Sequence, residues 1–126
     1  MVGDLDEDVL EFAHRMFDLA RDGDVSSLAA GLPANLTNHT GDTLLMLAAY
    51  HNHPSAVRVL LDAGADTARI NDRGQTALGA AVFRRSAQTV GLLLDAGADP
   101  ALGSPSAVDV ARFFDLPEML TQLIDR

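Results

Sequence analysis

The sequence predicts an all-α solenoid: about four helix–turn–helix units in a row, with short β-turn fingers between them and terminal units that act as caps. Three observations lead there. The segment Leu60-Leu-Asp-Ala-Gly-Ala-Asp66 recurs unchanged as Leu93-Leu-Asp-Ala-Gly-Ala-Asp99, 33 residues later. The same offset carries Asn38 onto Asn71, Gly41 onto Gly74, Thr43 onto Thr76, Leu45 onto Leu78 and Ala48 onto Ala81. Finally, 48% of the residues are apolar, enough for a real core. A period of this length marks a repeat architecture, in which no unit buries its apolar face alone and neighbours complete one continuous core.

The first unit, residues 4–37, reads as an N-terminal capping repeat. Leu5, Val9, Phe12, Ala13, Met16, Phe17 and Ala20 follow helical spacing and imply a long first helix. Asp4, Asp6, Glu7 and Asp8 crowd its start, where the helix dipole favours negative charge. Leu28 and Leu32 continue into a second helix.

Two full units follow, 38–70 and 71–101. Asn38-His-Thr-Gly41 and Asn71-Asp-Arg-Gly74 begin with a turn-favouring amide and end on glycine, as a tight β-turn prefers. Thr43 and Thr76 are suited to cap the next helix through a side-chain oxygen. Ala48-Ala49 and Ala80-Ala81 are small enough for neighbouring helices to approach closely. A second apolar run comes next, Val57, Val59, Leu60 and Leu61 in one unit and Val90, Leu92, Leu93 and Leu94 in the other. Gly64 and Gly97 then end that second helix in a left-handed conformation.

The last unit, 102–126, is a C-terminal capping repeat. Ser106-Ala-Val-Asp-Val-Ala111 matches Thr76–Ala81 at an offset of 30, so its turn is shortened. Pro117 falls opposite Pro54, both at the first turn of a second helix, where proline is tolerated. Gln122 stands where Val59 and Leu92 stand, and a polar residue there suits an outer face that meets water.

This unit resembles the ankyrin repeat, in which a turn ending in glycine is followed by Thr-Pro-Leu-His-x-Ala-Ala and then Leu-Leu-x-x-Gly-Ala-Asp. Gly41-Asp-Thr-Leu-Leu-Met-Leu-Ala-Ala49 and Gly74-Gln-Thr-Ala-Leu-Gly-Ala-Ala81 carry the pattern. Leu44 and Ala77 replace the usual proline, and Met46 and Gly79 the usual histidine. Those losses should weaken hydrogen bonding between successive turns. The resemblance covers nearly the whole chain and implies a concave groove, built from turn tips and first helices, that holds a partner protein.

By that resemblance the groove residues are the turn tips and the pair after Ala-Ala. The pairs are Arg21 and Asp22, Tyr50 and His51, Phe83 and Arg84, and Phe113 and Phe114. The tips contribute His39, Thr40 and Asp42 from one finger, and Ile70, Asp72, Arg73 and Gln75 around the next. The first members of the pairs form a row: Arg21, Tyr50, Phe83 and Phe113. The chain holds six aromatic residues, five Phe and one Tyr, and three of them fall in that row. Aromatics and arginine are the types enriched at binding hot spots. Phe113 and Phe114 lie near the last cap and have two readings, groove or cap core.

Composition excludes other functions. Formal net charge is −9, with 18 carboxylates against nine cations, all of them arginine. A nucleic-acid partner would need a basic stripe that this balance does not provide. Exclusive use of arginine over lysine fits a GC-rich bacterial genome. Cysteine is absent, which removes a disulfide scaffold and a thiolate metal site. The acidic start, Met1–Asp8, lacks both the basic region and the apolar run of a signal or membrane segment. The expectation is a soluble, cytoplasmic, monomeric protein with no cofactor, no membrane and no nucleic acid among its partners.

Catalysis finds no support in the residues. His51-Asn-His53 and His39 are the best candidate metal group, but i, i+2 spacing at a helix end chelates poorly and nothing completes the set. No phosphate loop, Ser-His-Asp arrangement or strand-borne carboxylate pair is present. The reading is a non-catalytic adaptor, inhibitor or scaffold. An accessory subunit that stabilises a particular enzyme is the alternative, with a small-ligand or metal-binding enzyme behind it.

Overall fold

Hydroxyl side chains decide where the inner helices begin. Thr43 Oγ1 accepts from the Met46 amide at 3.1 Å, and Thr76 Oγ1 from the Gly79 amide at 3.0 Å. Ser106 Oγ accepts from the Asp109 amide while the Asp109 carboxylate accepts back from the Ser106 amide, both at 3.1 Å. That reciprocal pair is a capping box, and each cap answers an amide that the first helical turn leaves without a partner.

The computed structural model describes residues 15–22 and 34–125. Seven helices lie among them. α1 covers 15–22, α2 Leu44–Tyr50, α3 Pro54–Asp62, α4 Ala77–Phe83, α5 Ala87–Asp95, α6 Ala107–Phe113 and α7 Pro117–Ile124. Strand-like pairing among the described residues is confined to the isolated bridges Thr37–Thr43 and Gly103–Ser106. The molecule is an all-α solenoid of helix pairs. The expected positions Leu5, Val9, Phe12, Ala13, Leu28 and Leu32, with the acidic leader, lie outside the described residues.

Within each pair the chain reverses through a residue in the left-handed region: Asn52 (φ 60°), Arg85 (φ 58°) and Asp115 (φ 53°). Pro54 and Pro117 then open α3 and α7. Gly64 and Gly97 close α3 and α5 at φ 92° and 93°.

α2, α4 and α6 form an inner layer, and α3, α5 and α7 an outer one. The inner helices touch one another more closely than the outer ones do, because Ala48, Ala49, Ala81 and Ala111 are fully buried between them. The stack therefore bends toward its inner layer. Equivalent positions of the two full units are buried alike: Leu45 with Leu78, Val57 with Val90, and Leu60 with Leu93. Each of these side chains contributes about 1.5–3 kcal/mol through burial. Met16, Phe17 and Ala20 of α1, and Met119 and Leu123 of α7, are buried in the same continuous core. Gln122 departs from the expectation of an outer-face residue: it is half-buried, and its side-chain amide donates to the Ala87 carbonyl of the preceding unit at 3.0 Å.

The fingers form a ladder of their own. Asn38 Oδ1 accepts from the Thr40 and Asp42 amides, and Asn71 Oδ1 from the Arg73 and Gln75 amides, so each asparagine folds its own turn. Fingers then join. The Asp72 amide donates to the Thr40 carbonyl at 3.0 Å, and the Ser104 amide to the Gly74 carbonyl at 2.8 Å. Asn71 Nδ2 also donates to Asp42 Oδ1 at 2.8 Å and to Gln75 Oε1 at 2.9 Å. Despite the histidine-to-Met46 and histidine-to-Gly79 departures, successive turns are thus bonded directly, by backbone and by the nearly buried Asn71.

Candidate functional site

Tyr50 and Phe83 are the last residues of α2 and α4, which pack against each other in the inner layer, and their side chains meet. The Tyr50 and Phe83 rings stack at 5.9 Å between centroids with planes 7° apart. Phe83 in turn meets Phe114 edge to face at 5.7 Å. Tyr50, Phe83 and Phe114 remain 45%, 43% and 39% exposed, whereas Phe113 is 81% exposed.

That geometry corrects the expected row. The fourth unit enters through Phe114, the C-cap residue of α6, and Phe113 touches only the outside of Phe114, at 4.9 Å. The reason lies in helical spacing. Phe114 follows Val110 by one helical turn and lies over it, whereas the residue one turn before Phe113 is Asp109, engaged in the capping box. Neither phenylalanine is cap core. At the other end, Arg21 pairs with Asp18 on the exposed side of α1 and does not line the cleft, so the ring contacts among the described residues run from Tyr50 to Phe114.

Beneath the rings lies a cleft of about 470 Å³. Its helix side is Met46, Leu47, Tyr50, His51, Gly79, Ala80, Phe83, Val110 and Phe114; its finger side is Asp42, Asn71, Arg73, Gln75, Thr76 and Pro105. Of the residues expected in the groove, the cleft gathers Asp42, Tyr50, His51, Arg73, Gln75, Phe83 and Phe114. Arg84 stands at the rim, 5.7 Å over the Tyr50 ring. Asp22, His39, Thr40, Ile70 and Asp72 do not line it. Sequence reasoning passed over Met46, Leu47, Gly79, Ala80 and Val110, the floor of the cleft. A signal was present: Met46 and Gly79 precede Tyr50 and Phe83 by four residues, and both stand where a histidine is usual. Their apolar character opens a floor that a polar ring would occupy.

Two groups in the cleft titrate away from their ordinary values. Burial works to raise the Asp42 carboxyl, but hydrogen bonds from Asn71, Thr40 and Asn38, helped by the charge of Arg73, outweigh it and hold the group below 3.8. His51 is pushed below 6.5 by burial first, then by His53, Arg21 and Arg84, against an opposing pull from Asp22. His51 also meets Tyr50 edge to face at 5.1 Å. His53 serves the stack: its Nε2–H donates to the Arg21 carbonyl of the neighbouring unit. Among the described residues no three His, Asp or Glu side chains gather as a metal site would need. No helix among them is long and apolar enough to cross a membrane.

Comparison with known proteins places these features in a wider set. A family model described as ankyrin repeats, in three copies, matches residues 16–103. An ankyrin repeat protein of Pseudomonas aeruginosa is 52% identical over 60 residues, which is 44% of this chain and 35% of that protein. The chain therefore matches about a third of the length of that relative. The crystal structure of the human ASB11 ankyrin repeat domain superposes with a TM-score of 0.78 at 25% identity, covering 87% of this chain and 52% of that one. Modules of this kind generally bind other proteins.

Proposed function

Because the chain belongs to the ankyrin-repeat family, we propose that it is a non-catalytic binding protein whose concave cleft holds a segment of one partner protein. The observation that carries this is a row of half-exposed rings in mutual contact over an apolar floor, Tyr50 stacked on Phe83 and Phe83 edge to face with Phe114. Three large aromatic faces left toward solvent contribute little to the core, which closes below them on alanines, leucines and valines. They form a preorganised contact surface, since stacked rings have little freedom left to lose on binding. The protein acts as a cytoplasmic monomer in this reading, as an adaptor, inhibitor or scaffold.

The test is capture followed by reconstitution. A partner isolated on the immobilised chain is identified, purified and titrated against the wild type and against Tyr50→Ala/Phe83→Ala. The expected result is loss of binding in the double variant with a fold that still melts cooperatively. The two rings are half-exposed, so removing them and their mutual stacking should lower stability by about 2–4 kcal/mol, less than the loss of two core rings. Full binding by the double variant would place the site elsewhere. The partner's own activity, assayed with and without the chain, then separates an inhibitor from an accessory subunit that sustains an enzyme.

A further inference from the structure

The protein is acidic, with a formal net charge of −9, yet the rim of its aromatic row is not. Arg84 lies over the Tyr50 ring at 5.7 Å and Arg85 over the Phe114 ring at 5.6 Å, one guanidinium at each end of the row. Both arginines are exposed, and no ion pair among the described residues involves either. A guanidinium that lies on a ring face keeps its N–H edge free for a carboxylate. The carboxylate that lines the cleft, Asp42, is on the finger side, where Asn71, Thr40 and Asn38 bond it and Arg73 faces it, and Asp22, the acid acting on His51, does not line the cleft.

Arg85 carries a second mark. It sits in the left-handed region, φ 58°, at the reversal where the other two units place Asn52 and Asp115. Asparagine and aspartate tolerate that conformation well; a long side chain gains nothing from it. Local backbone preference therefore argues against arginine here, and a residue held against that preference points to a function for its side chain.

We propose that the cleft recognises an extended acidic–apolar segment of the partner, with the pattern acid-x-apolar-x-acid. This rests on the groove-binding reading above and adds the chemistry of the occupant. In an extended segment alternate side chains share one face, and each residue advances the chain about 3.3 Å. The row is crossed in two ring steps of 5.9 and 5.7 Å, so residues i and i+4 reach its two ends. The central apolar side chain lies against Phe83, the middle ring, over the cleft that Met46 and Gly79 line. The flanking carboxylates meet Arg84 and Arg85. These arginines also outweigh the partial negative charge that the C-terminal ends of α2 and α4 bring to the same side.

A random peptide library displayed on phage and selected on this chain tests this, with sequencing as the readout. Parallel selections use Arg84→Gln/Arg85→Asn and Tyr50→Ala/Phe83→Ala, and synthetic winners are titrated by fluorescence anisotropy. Expected on the wild type is enrichment of acid-x-apolar-x-acid peptides. Replacing each arginine should weaken a winner about fivefold, with the effect fading as salt rises. Arg85→Asn should melt no lower than the wild type, which separates lost recognition from lost folding. Winners that need Tyr50 and Phe83 but ignore the arginines, or that are neutral or basic, would overturn the acidic assignment and leave groove binding standing. No enrichment, or winners indifferent to the rings, would overturn both. Self-association abolished by the arginine variant would make the occupant a second copy, and would also overturn the proposal.

Discussion

Replacing Gly74 by alanine tests how the fingers hold the stack. Gly74 has φ 78°, and a Cβ built on it meets the Ser104 carbonyl oxygen at 2.4 Å. The same glycine's carbonyl accepts from the Ser104 amide at 2.8 Å, so the two fingers cannot part without losing that bond. An L-residue held in the left-handed region costs about 1–2 kcal/mol. Forcing a packed backbone to shift adds about 1–3 kcal/mol. Alanine's smaller unfolded-state freedom returns about 0.4–1 kcal/mol. The expected loss is therefore about 2–4 kcal/mol in unfolding free energy, or about 1 M or more in urea midpoint. Gly64 supplies the control: its φ is 92°, but a Cβ there meets nothing within 4 Å, so Gly64→Ala carries the conformational cost alone. Gly41→Ala should fall between the two, since its Cβ would lie 3.0 Å from the mobile Asp72 carboxylate and 3.2 Å from the Asp72 amide nitrogen. Urea denaturation followed by far-UV circular dichroism ranks all three. Equal losses for Gly74→Ala and Gly64→Ala would refute the claim that finger contact, beyond backbone conformation, contributes to stability.

Other outcomes follow from the same structure. Asp42 is held below 3.8 in the fold, so its contribution to stability is present above the unfolded value and is lost as pH falls through the folded one. Asn71→Ala, which removes its strongest hydrogen-bond donor, should shrink that acid-side loss in urea midpoints measured across the pH 2–5 range (about the carboxylate range), besides lowering stability near neutrality. The His51 ring should titrate below 6.5 in NMR, and His51→Gln should reduce the fall in stability as pH drops below that value, because the fold disfavours the protonated ring. Ser106→Ala breaks the capping box of α6 and should cost about 1 kcal/mol in thermal or urea unfolding.

Much of the fold can be read in the chain because a repeat reports each physical requirement more than once. Thr43 and Thr76 are both helix caps, and Leu60 and Leu93 are both buried. Two occurrences at one offset separate a structural need from chance. The candidate site was less legible for the same reason: binding positions are those in which repeats differ. Tyr50 and Phe83 could be found from their place after the buried alanines. The choice between Phe113 and Phe114 could not, because the two are the last residue and the C-cap of the same helix and only the neighbouring Phe83 ring and the underlying Val110 decide which one leans inward. The bond from Asn71 to Asp42 was equally hidden, since the two are 29 residues apart and meet only when the fingers stack. Gln122 was read by polarity as an outer-face residue, but polarity does not reveal that a backbone carbonyl waits at Ala87.

The finger ladder has a direction. Asn71 reaches back to Asp42, the residue that closes the preceding turn. The corresponding closing residue of the second turn is Gln75, and the third finger, with Ala101, Leu102 and Gly103 at its start, has no side-chain amide to reach back to it. Among the described residues, cross-linking by side chains therefore stops at the second finger, and the third is joined to it at Gly74 by main chain. Gln75 lies on the wall of the cleft at that interrupted rung. Its Oε1 accepts from Asn71 within the same finger, which leaves its Nε2 hydrogens to donate to a carbonyl of whatever lies in the cleft.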